Sequence, residues 1–134
     1  MPVIRELVRA YQAFEAHDVV NLRKHGLTAP QADVIFTLGN TEGMAFKEIG
    51  EHTLITKGTL TGVVDRLEEK DIVKRVPCPK DRRRIYVVLT TQGVKIFERV
   101  FPEYIAYLKQ RFNGLTQSEL ANSVAVLKKL RGLF

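Results

Sequence analysis

The spacing of the apolar residues changes within this chain of 134 residues, and that change restricts the folds available to it. On both sides of a central segment, apolar residues recur at intervals of three and four, which is the spacing of one face of an α-helix. Two β-branched runs, Ile72–Val76 and Ile85–Leu89, instead favour β-strands. They flank a polar segment, Pro77–Arg84, that cannot belong to a core. We therefore predict a mainly α-helical protein with one small two-stranded hairpin.

Helix start signals divide the rest of the chain into six predicted helices. Thr28 with Gln31, and Thr116 with Glu119, have the spacing of capping boxes. Pro102 should bend or unwind the fifth helix near its middle. The predicted helices begin near Pro2, Thr28, Lys47, Thr56, Thr90 and Thr116.

Positive charge is concentrated in the predicted hairpin. The net charge of the chain is +6, from 21 Lys and Arg against 15 Asp and Glu. A dense cationic segment favours a polyanionic partner, because each neutralised phosphate releases a condensed counterion. A solvated basic loop would have the same composition, and charge alone does not separate the two interpretations. The segment contains Lys74, Arg75, Lys80, Arg82, Arg83 and Arg84, opposed only by Asp81.

The fourth predicted helix has a clean apolar stripe and an opposite face of small or polar residues. Two of these, Gly58 and Gly62, lie inside the helix, where each glycine costs about 1 kcal/mol relative to alanine. Either another backbone approaches this face closely, or packing of the apolar stripe outweighs the cost. The stripe consists of Leu60, Val63, Val64 and Leu67.

The order of these elements is that of a winged helix-turn-helix. A short helix, a tight connection and a second helix with a small polar face are followed by a basic hairpin. Such a second helix fits the major groove of double-stranded DNA, and the hairpin reaches the backbone or the minor groove. The terminal helices carry more large apolar residues than a small domain needs, which favours self-association.

Several motifs resemble the MarR family of bacterial transcription regulators, without an obvious gap from about Leu27 to Gly93. The motifs are Leu27-Thr-Ala-Pro-Gln31, Lys47-Glu-Ile, Thr59-x-Thr61, Val64-Asp-Arg-Leu67 and Asp81-Arg-Arg83 followed by Val87-x-Leu89-Thr90. The resemblance implies a homodimeric, effector-responsive repressor on an inverted-repeat operator. It implies a winged helix-turn-helix DNA-binding region over residues 28–90 and a helical dimerisation region formed by residues 1–27 and 91–134.

The resemblance also assigns DNA-binding residues. Arg83 matches the wing arginine that enters the minor groove, and Asp81 matches its acidic structural partner. Arg66 matches a motif arginine that serves the DNA backbone or a structural pair. Gly58 and Gly62 replace the larger polar residues usual in the family, so shape recognition should outweigh direct base contacts. The full set is Lys57, Gly58, Thr59, Thr61, Gly62, Arg66, Lys80, Arg82, Arg83 and Arg84.

An effector site follows from the same resemblance. Many relatives bind small aromatic compounds between the dimer helices and the winged domain. Tyr11, Phe14, His17 and Phe36 are candidates to border such a cleft, although aromatic residues at helical spacing also form ordinary cores. We expect no cofactor beyond a small aromatic effector.

Catalytic and metal chemistry find little support. Asp65 and Asp81 are better explained as partners of neighbouring arginines than as catalytic carboxylates, so we expect no enzyme. His17, His25 and His52 show no i, i+4 spacing, and we predict no metal site.

Cys78 is the only cysteine, which excludes an internal disulfide framework. It lies between two prolines in a turn predicted to be exposed, with basic neighbours that could lower its pKa. We favour an inert thiol over a redox sensor. No segment is long and apolar enough for a bilayer, so we expect a cytoplasmic protein with no membrane partner.

A second function remains open. A winged-helix protein-interaction module with only non-specific DNA affinity would tolerate Gly58 and Gly62, whereas the three arginines of the hairpin argue against it.

Overall fold

The computed structural model describes residues 1–134 and contains six helices and three short strands. In chain order the elements are α1 (Pro2–Arg23), α2 (Ala29–Leu38), β1 (Met44–Ala45), α3 (Phe46–His52), α4 (Lys57–Glu69), β2 (Val73–Pro77), β3 (Ile85–Leu89), α5 (Thr91–Phe112) and α6 (Gln117–Arg131). This confirms the mainly α-helical winged-helix class. The chain forms two compact units, Met1–Phe101 and Pro102–Phe134.

The connection from α1 to α2 is formed as its residues predict. Gly26, in the turn that follows α1, has a φ of +72°, a conformation that favours glycine. Thr28 then accepts the backbone N–H of Gln31 at 3.3 Å, and Gln31 accepts the backbone N–H of Thr28 at 3.1 Å. Both bonds satisfy amides that the first turn of a helix leaves unpaired, so the predicted capping box is confirmed.

The predicted two-stranded hairpin is confirmed as β2 and β3, and a third strand that was not predicted, β1, completes the sheet. β1 pairs antiparallel with β3 through Met44 opposite Val87 and Ala45 opposite Tyr86. β3 also pairs antiparallel with β2, from Val73 opposite Leu89 to Pro77 opposite Ile85, giving the order β1-β3-β2. β1 therefore joins the hairpin, through the middle of β3, to the segment that begins α3.

The core of the first unit lies between α2, α3, α4 and the sheet. The predicted stripe of α4 is confirmed, because Leu60, Val63, Val64 and Leu67 are all buried. They share this core with the buried side chains Val34, Ile35, Leu38, Ile49, Val73 and Val87. The polar face of α4 is consequently turned away from the core.

A close backbone contact fixes the start of α5 against the start of β2. The Thr90 hydroxyl donates to the carbonyl of Asp71 at 2.6 Å and accepts the N–H of Gly93 at 3.0 Å. A Cβ atom on Gly93 would lie 2.1 Å from the carbonyl oxygen of Ile72, so only glycine fits. The two ends of the hairpin are thereby tied to each other.

The second unit contains the end of α5 and the whole of α6. Its capping box is confirmed, with Thr116 N–H donating to Glu119 at 2.7 Å and Glu119 N–H donating to Thr116 Oγ1 at 3.1 Å. Unwinding at Pro102 was wrong, because α5 is continuous through that residue. No residue of α6 is buried within the chain.

Most of α1 is also uncovered. Only Asn21 and Leu22 of its 22 residues are buried, whereas its apolar stripe is exposed. None of the helices combines the length and apolar character needed to cross a membrane. The exposed members of the stripe are Ile4, Leu7, Tyr11 and Phe14.

Candidate nucleic-acid interface

The outer face of α4 is exposed, and between Lys57 and Asp65 its first turns carry only small residues, Gly58, Thr59, Thr61 and Gly62. A Cβ atom built on Gly58 or on Gly62 would meet no atom of another element within 4 Å. No other part of the chain therefore requires these glycines, and their helix cost is not explained by packing within the chain. The exposed residues of this face include the predicted Lys57, Gly58, Thr59, Thr61, Gly62 and Arg66.

The start of α4 differs from the prediction in one detail. Thr56 is the residue that precedes the helix, as expected, but its hydroxyl does not accept a backbone N–H. It forms a 3.1 Å hydrogen bond with the hydroxyl of Thr59 instead. The first-turn amides of α4 thus lack the side-chain cap that the sequence suggested.

Arg75 joins the hairpin to α4. From β2, its Nη2 lies 2.6 Å from Asp65 Oδ1 and its Nη1 lies 2.6 Å from Glu68 Oε1. Glu68 Oε2 also accepts the backbone N–H of Arg75 at 3.2 Å, and the guanidinium lies 5.4 Å from the ring centroid of Phe46. The hydrogen bond to Asp65 is the main reason that the pKa of Arg75 is raised further above its usual range.

This ion-pair cluster confirms that Asp65 partners an arginine, although the arginine was not singled out. Arg75 lies ten residues from Asp65 in sequence, on another element, whereas Arg66 is adjacent but exposed. The side chain of Arg75 is 26% exposed. It fixes the relative position of the hairpin and α4, which are the two predicted DNA-contacting elements.

The tip of the hairpin is an exposed cationic loop, here called the wing tip and comprising Lys80, Asp81, Arg82, Arg83 and Arg84. Asp81 Oδ1 accepts the backbone N–H of Arg83 at 3.1 Å and lies 3.5 Å from its Nε. The predicted partnership of Asp81 with Arg83 is therefore present. The Arg83 side chain remains 94% exposed, so its charge is available to a partner.

Cys78 lies at the root of the wing tip, and the prediction of exposure was wrong. Its side chain is only 4% exposed, although Pro77 and Pro79 on either side are exposed. The Cys78 N–H donates to the carbonyl of Arg84 at 2.8 Å, which closes the loop and turns the thiol inward.

The surroundings of Cys78 act on its ionisation in opposite directions. Burial raises the pKa of the thiol, whereas the backbone N–H groups of Lys80 and Asp81 and the Tyr86 hydroxyl lower it. The charge of Arg84 lowers it further, and the net pKa lies below the ordinary value for cysteine. The hydrogen bond with Cys78 in turn raises the pKa of the Tyr86 hydroxyl.

A second contact, which sequence reasoning missed, holds the turn between α3 and α4. Asp33 Oδ2 on α2 accepts the backbone N–H of Leu54 at 3.0 Å. Partial burial is the main cause of a raised pKa at Asp33; the Leu54 N–H lowers it and the nearby Asp18 raises it. Leu54 itself is 96% exposed.

The four candidate effector residues lie in the first unit in two different settings. Tyr11, Phe14 and His17 are exposed along α1, and the Tyr11 hydroxyl donates to Glu15 at 3.3 Å. Phe36 on α2 is half-buried, with its ring centroid 5.1 Å from that of Phe101. Phe36 thus packs in an aromatic group, whereas the side chains of the α1 residues are exposed.

The three histidines considered as metal ligands are dispersed over the chain. His17 and His52 are exposed and His25 is half-buried. No three His, Cys, Asp or Glu side chains lie close enough together to hold a metal ion.

Comparison with known proteins identifies transcriptional regulators as relatives of this chain. Residues 25–84 match the model of the MarR family. The chain is 30% identical over 126 residues to the HTH-type transcriptional regulator SarZ of Staphylococcus haemolyticus, which covers 92% of this chain and 78% of that protein.

Two solved structures are similar over nearly the whole chain. BpsR of Bordetella bronchiseptica, whose DNA binding is regulated by 6-hydroxynicotinic acid, has a TM-score of 0.84 and 29% identity, covering 96% of this chain and 92% of that one. A cysteine-to-serine mutant of MarR from E. coli, complexed with operator DNA, also has a TM-score of 0.84 and 29% identity, covering 97% and 94%.

Proposed function

Because this chain belongs to the MarR family, we propose that it is a DNA-binding transcriptional regulator that acts as a homodimer on an inverted-repeat operator. The observation that carries the proposal is the Arg75 cluster, which joins two elements suited to DNA. One is the open face of α4 and the other is the exposed cationic wing tip. In this proposal residues 28–90 bind DNA, and residues 1–27 and 91–134 dimerise.

The two elements divide the work of binding. The wing tip supplies charge, so that counterion release provides salt-dependent affinity. Arg83 enters the minor groove, where a narrow groove concentrates negative potential. The first residues of α4, from Lys57 to Gly62, lie against base edges and phosphates in the major groove and fix the register.

Dimerisation is supported by the apolar surface that each terminal helix leaves open. On α1, Ile4 is 57% exposed and Tyr11 is 59% exposed. On α6, Val124 is 53% exposed and Leu127 is 51% exposed. Surfaces of this kind are covered in stable proteins by a partner, and a second copy provides self-complementary ones.

We further propose that a small aromatic effector controls binding and that the regulator is a repressor. The regulation of BpsR by 6-hydroxynicotinic acid supports the effector class. Tyr11, Phe14, His17 and Phe36 are the candidate contacts. An effector that binds better to a dimer with poorly spaced α4 helices would release the operator. No catalytic step is involved, and the protein would act in the cytoplasm, where operator DNA lies.

The test is selection of bound duplexes from a random pool at one near-physiological salt concentration. We expect an inverted repeat whose half-sites are about one helical turn apart. General duplex affinity without a symmetric motif would contradict the proposal and favour the protein-interaction module. Salt dependence alone would not separate them, because non-specific binding is also electrostatic.

A further inference from the structure

Leu54 is the most exposed large apolar side chain away from the ends of the chain. It is 96% exposed, a value exceeded only by the C-terminal Phe134. It lies in the turn between α3 and α4, two residues before Thr56, where the chain enters α4. No other element of the chain covers it, so its apolar surface contributes nothing to the core.

The turn that carries Leu54 is nevertheless held in place. Asp33 accepts the Leu54 N–H at 3.0 Å from α2. The preceding Thr53 is buried, its N–H donates to Ile49 at 3.0 Å, and its hydroxyl accepts the N–H of Ile55 at 3.4 Å. Leu54 is thus an apolar group presented on a fixed backbone, beside the end of α4 that faces DNA in the proposed function.

The chemistry of leucine restricts what it can contact there. It has neither a donor nor an acceptor, so it gains nothing from phosphate oxygens or from the polar base edges. The C5 methyl group of thymine is the apolar group displayed in the major groove. Gly58 and Gly62 leave open space on the outer face of α4, which allows the start of the helix to approach the bases closely.

We propose that Leu54 packs against the C5 methyl group of a thymine in each half-site and so makes that T·A position a determinant of sequence specificity. This assignment rests on the proposed function. It adds an apolar base contact beside the outer face of α4, where Gly58 and Gly62 provide no side chains.

The test uses the full-length protein and the duplex that it selects. Each thymine of the half-site is replaced in turn by deoxyuridine, which removes only the methyl group. For the wild type we expect one position at which the change weakens binding about fourfold, or about sixteenfold when both half-sites are changed. For Leu54→Ala we expect binding to become insensitive to deoxyuridine at that position. The affinity of this variant for the thymine duplex should be reduced by a similar factor relative to the wild type.

Leu54→Met and thermal unfolding serve as controls. Methionine keeps an apolar side chain of similar size, so the sensitivity to deoxyuridine should persist. Because Leu54 is exposed, both variants should unfold at the wild-type temperature. If the wild type tolerates deoxyuridine everywhere, or if Leu54→Ala remains equally sensitive, the Leu54 assignment alone is wrong. If the wild type selects no inverted repeat, the proposed function is wrong and the assignment falls with it.

Discussion

Asp33 connects α2 to the turn before α4 through one hydrogen bond. Substitutions can separate its role as a hydrogen-bond acceptor from the effect of its ionisation. Asp33→Asn keeps an oxygen that accepts the Leu54 N–H, whereas Asp33→Ala removes it. We expect Asp33→Ala to lower the free energy of unfolding by about 0.5–1 kcal/mol and Asp33→Asn to cost less. Denaturant unfolding of the three proteins at neutral pH measures the difference. Equal losses in both variants would show that the hydrogen bond contributes nothing.

The raised pKa of Asp33 predicts how the difference in stability between the wild type and Asp33→Asn changes with pH. Because the folded state favours the protonated carboxyl, its contribution to stability is present at low pH. It is lost as the pH rises from the unfolded pKa through the raised folded pKa. The stability of Asp33→Asn relative to the wild type should therefore increase between pH 3 and pH 7. A constant difference across this range would contradict the assignment.

Cys78 allows a further prediction at the residue scale. Its thiol lies among the Lys80 and Asp81 amides and the Tyr86 hydroxyl, and these groups together with the charge of Arg84 outweigh the effect of burial on its pKa. Titration of thiolate absorbance should therefore give a pKa below that of the unfolded protein. Tyr86→Phe should raise it, because the thiolate loses a hydrogen-bond donor. Cys78→Ser, which has no thiol, supplies the baseline. An unchanged pKa in Tyr86→Phe would exclude the hydroxyl as a cause.

Residue roles were predictable from sequence where both partners lie close together in the chain. Asp81 and Arg83 are two residues apart, and their contact is present as predicted. Arg75 meets Asp65 and Glu68 only because β2 packs beside α4, and neighbouring charges in the sequence do not reveal this. The burial of Cys78 was missed for a similar reason. Composition makes its turn polar, but the loop hydrogen bond to Arg84 turns this one side chain inward.

At the scale of the element, Gly62 separates helix stability from DNA affinity. Its neighbourhood is open, so Gly62→Ala should raise the free energy of unfolding by about 0.5–1 kcal/mol through helix propensity. The same methyl group should weaken operator binding if DNA approaches the α4 backbone closely. Thermal unfolding and operator titration of one preparation measure both effects. A gain in stability with unchanged affinity would show that the glycine does not serve close approach.

Gly93→Ala is the matched control for that measurement. Its Cβ atom would lie 2.1 Å from the carbonyl oxygen of Ile72, so the start of α5 would have to move. We expect destabilisation, opposite in sign to Gly62→Ala. Stabilisation by both substitutions would mean that general helix propensity outweighs the local contacts.

The helices were largely predictable because their start signals and apolar stripes are local. The capping boxes at Thr28 and Thr116 formed as expected. β1 was missed because Met44 and Ala45 are too few to show a period, and they become a strand only by pairing with β3. Non-local pairing of this kind is not encoded in the spacing of residues within one segment.

At the scale of the whole molecule, each of the two units leaves apolar surface uncovered. The first unit has its core around α2, α3, α4 and the sheet, whereas the stripe of α1 is exposed. The second unit buries no residue of α6. The number of large apolar residues in the terminal helices predicted this uncovered surface, from which we propose self-association. The division of the chain at 101/102 falls at Pro102, where the sequence predicted a bend or unwinding, although α5 continues through this residue.

A charge placed on the stripe of α1 tests the dimer and its link to DNA binding. Ile4 is 57% exposed in the single chain, so Ile4→Glu should leave the core of the first unit folded, as circular dichroism can check. In a symmetric dimer the charge is buried twice, and we expect dimerisation to weaken by on the order of 100-fold. Operator affinity should fall with it, since one protomer occupies only one half-site. Gln12→Glu adds the same charge at an exposed position outside the stripe and should remain dimeric. Sedimentation that shows Ile4→Glu still dimeric would exclude this face from the interface.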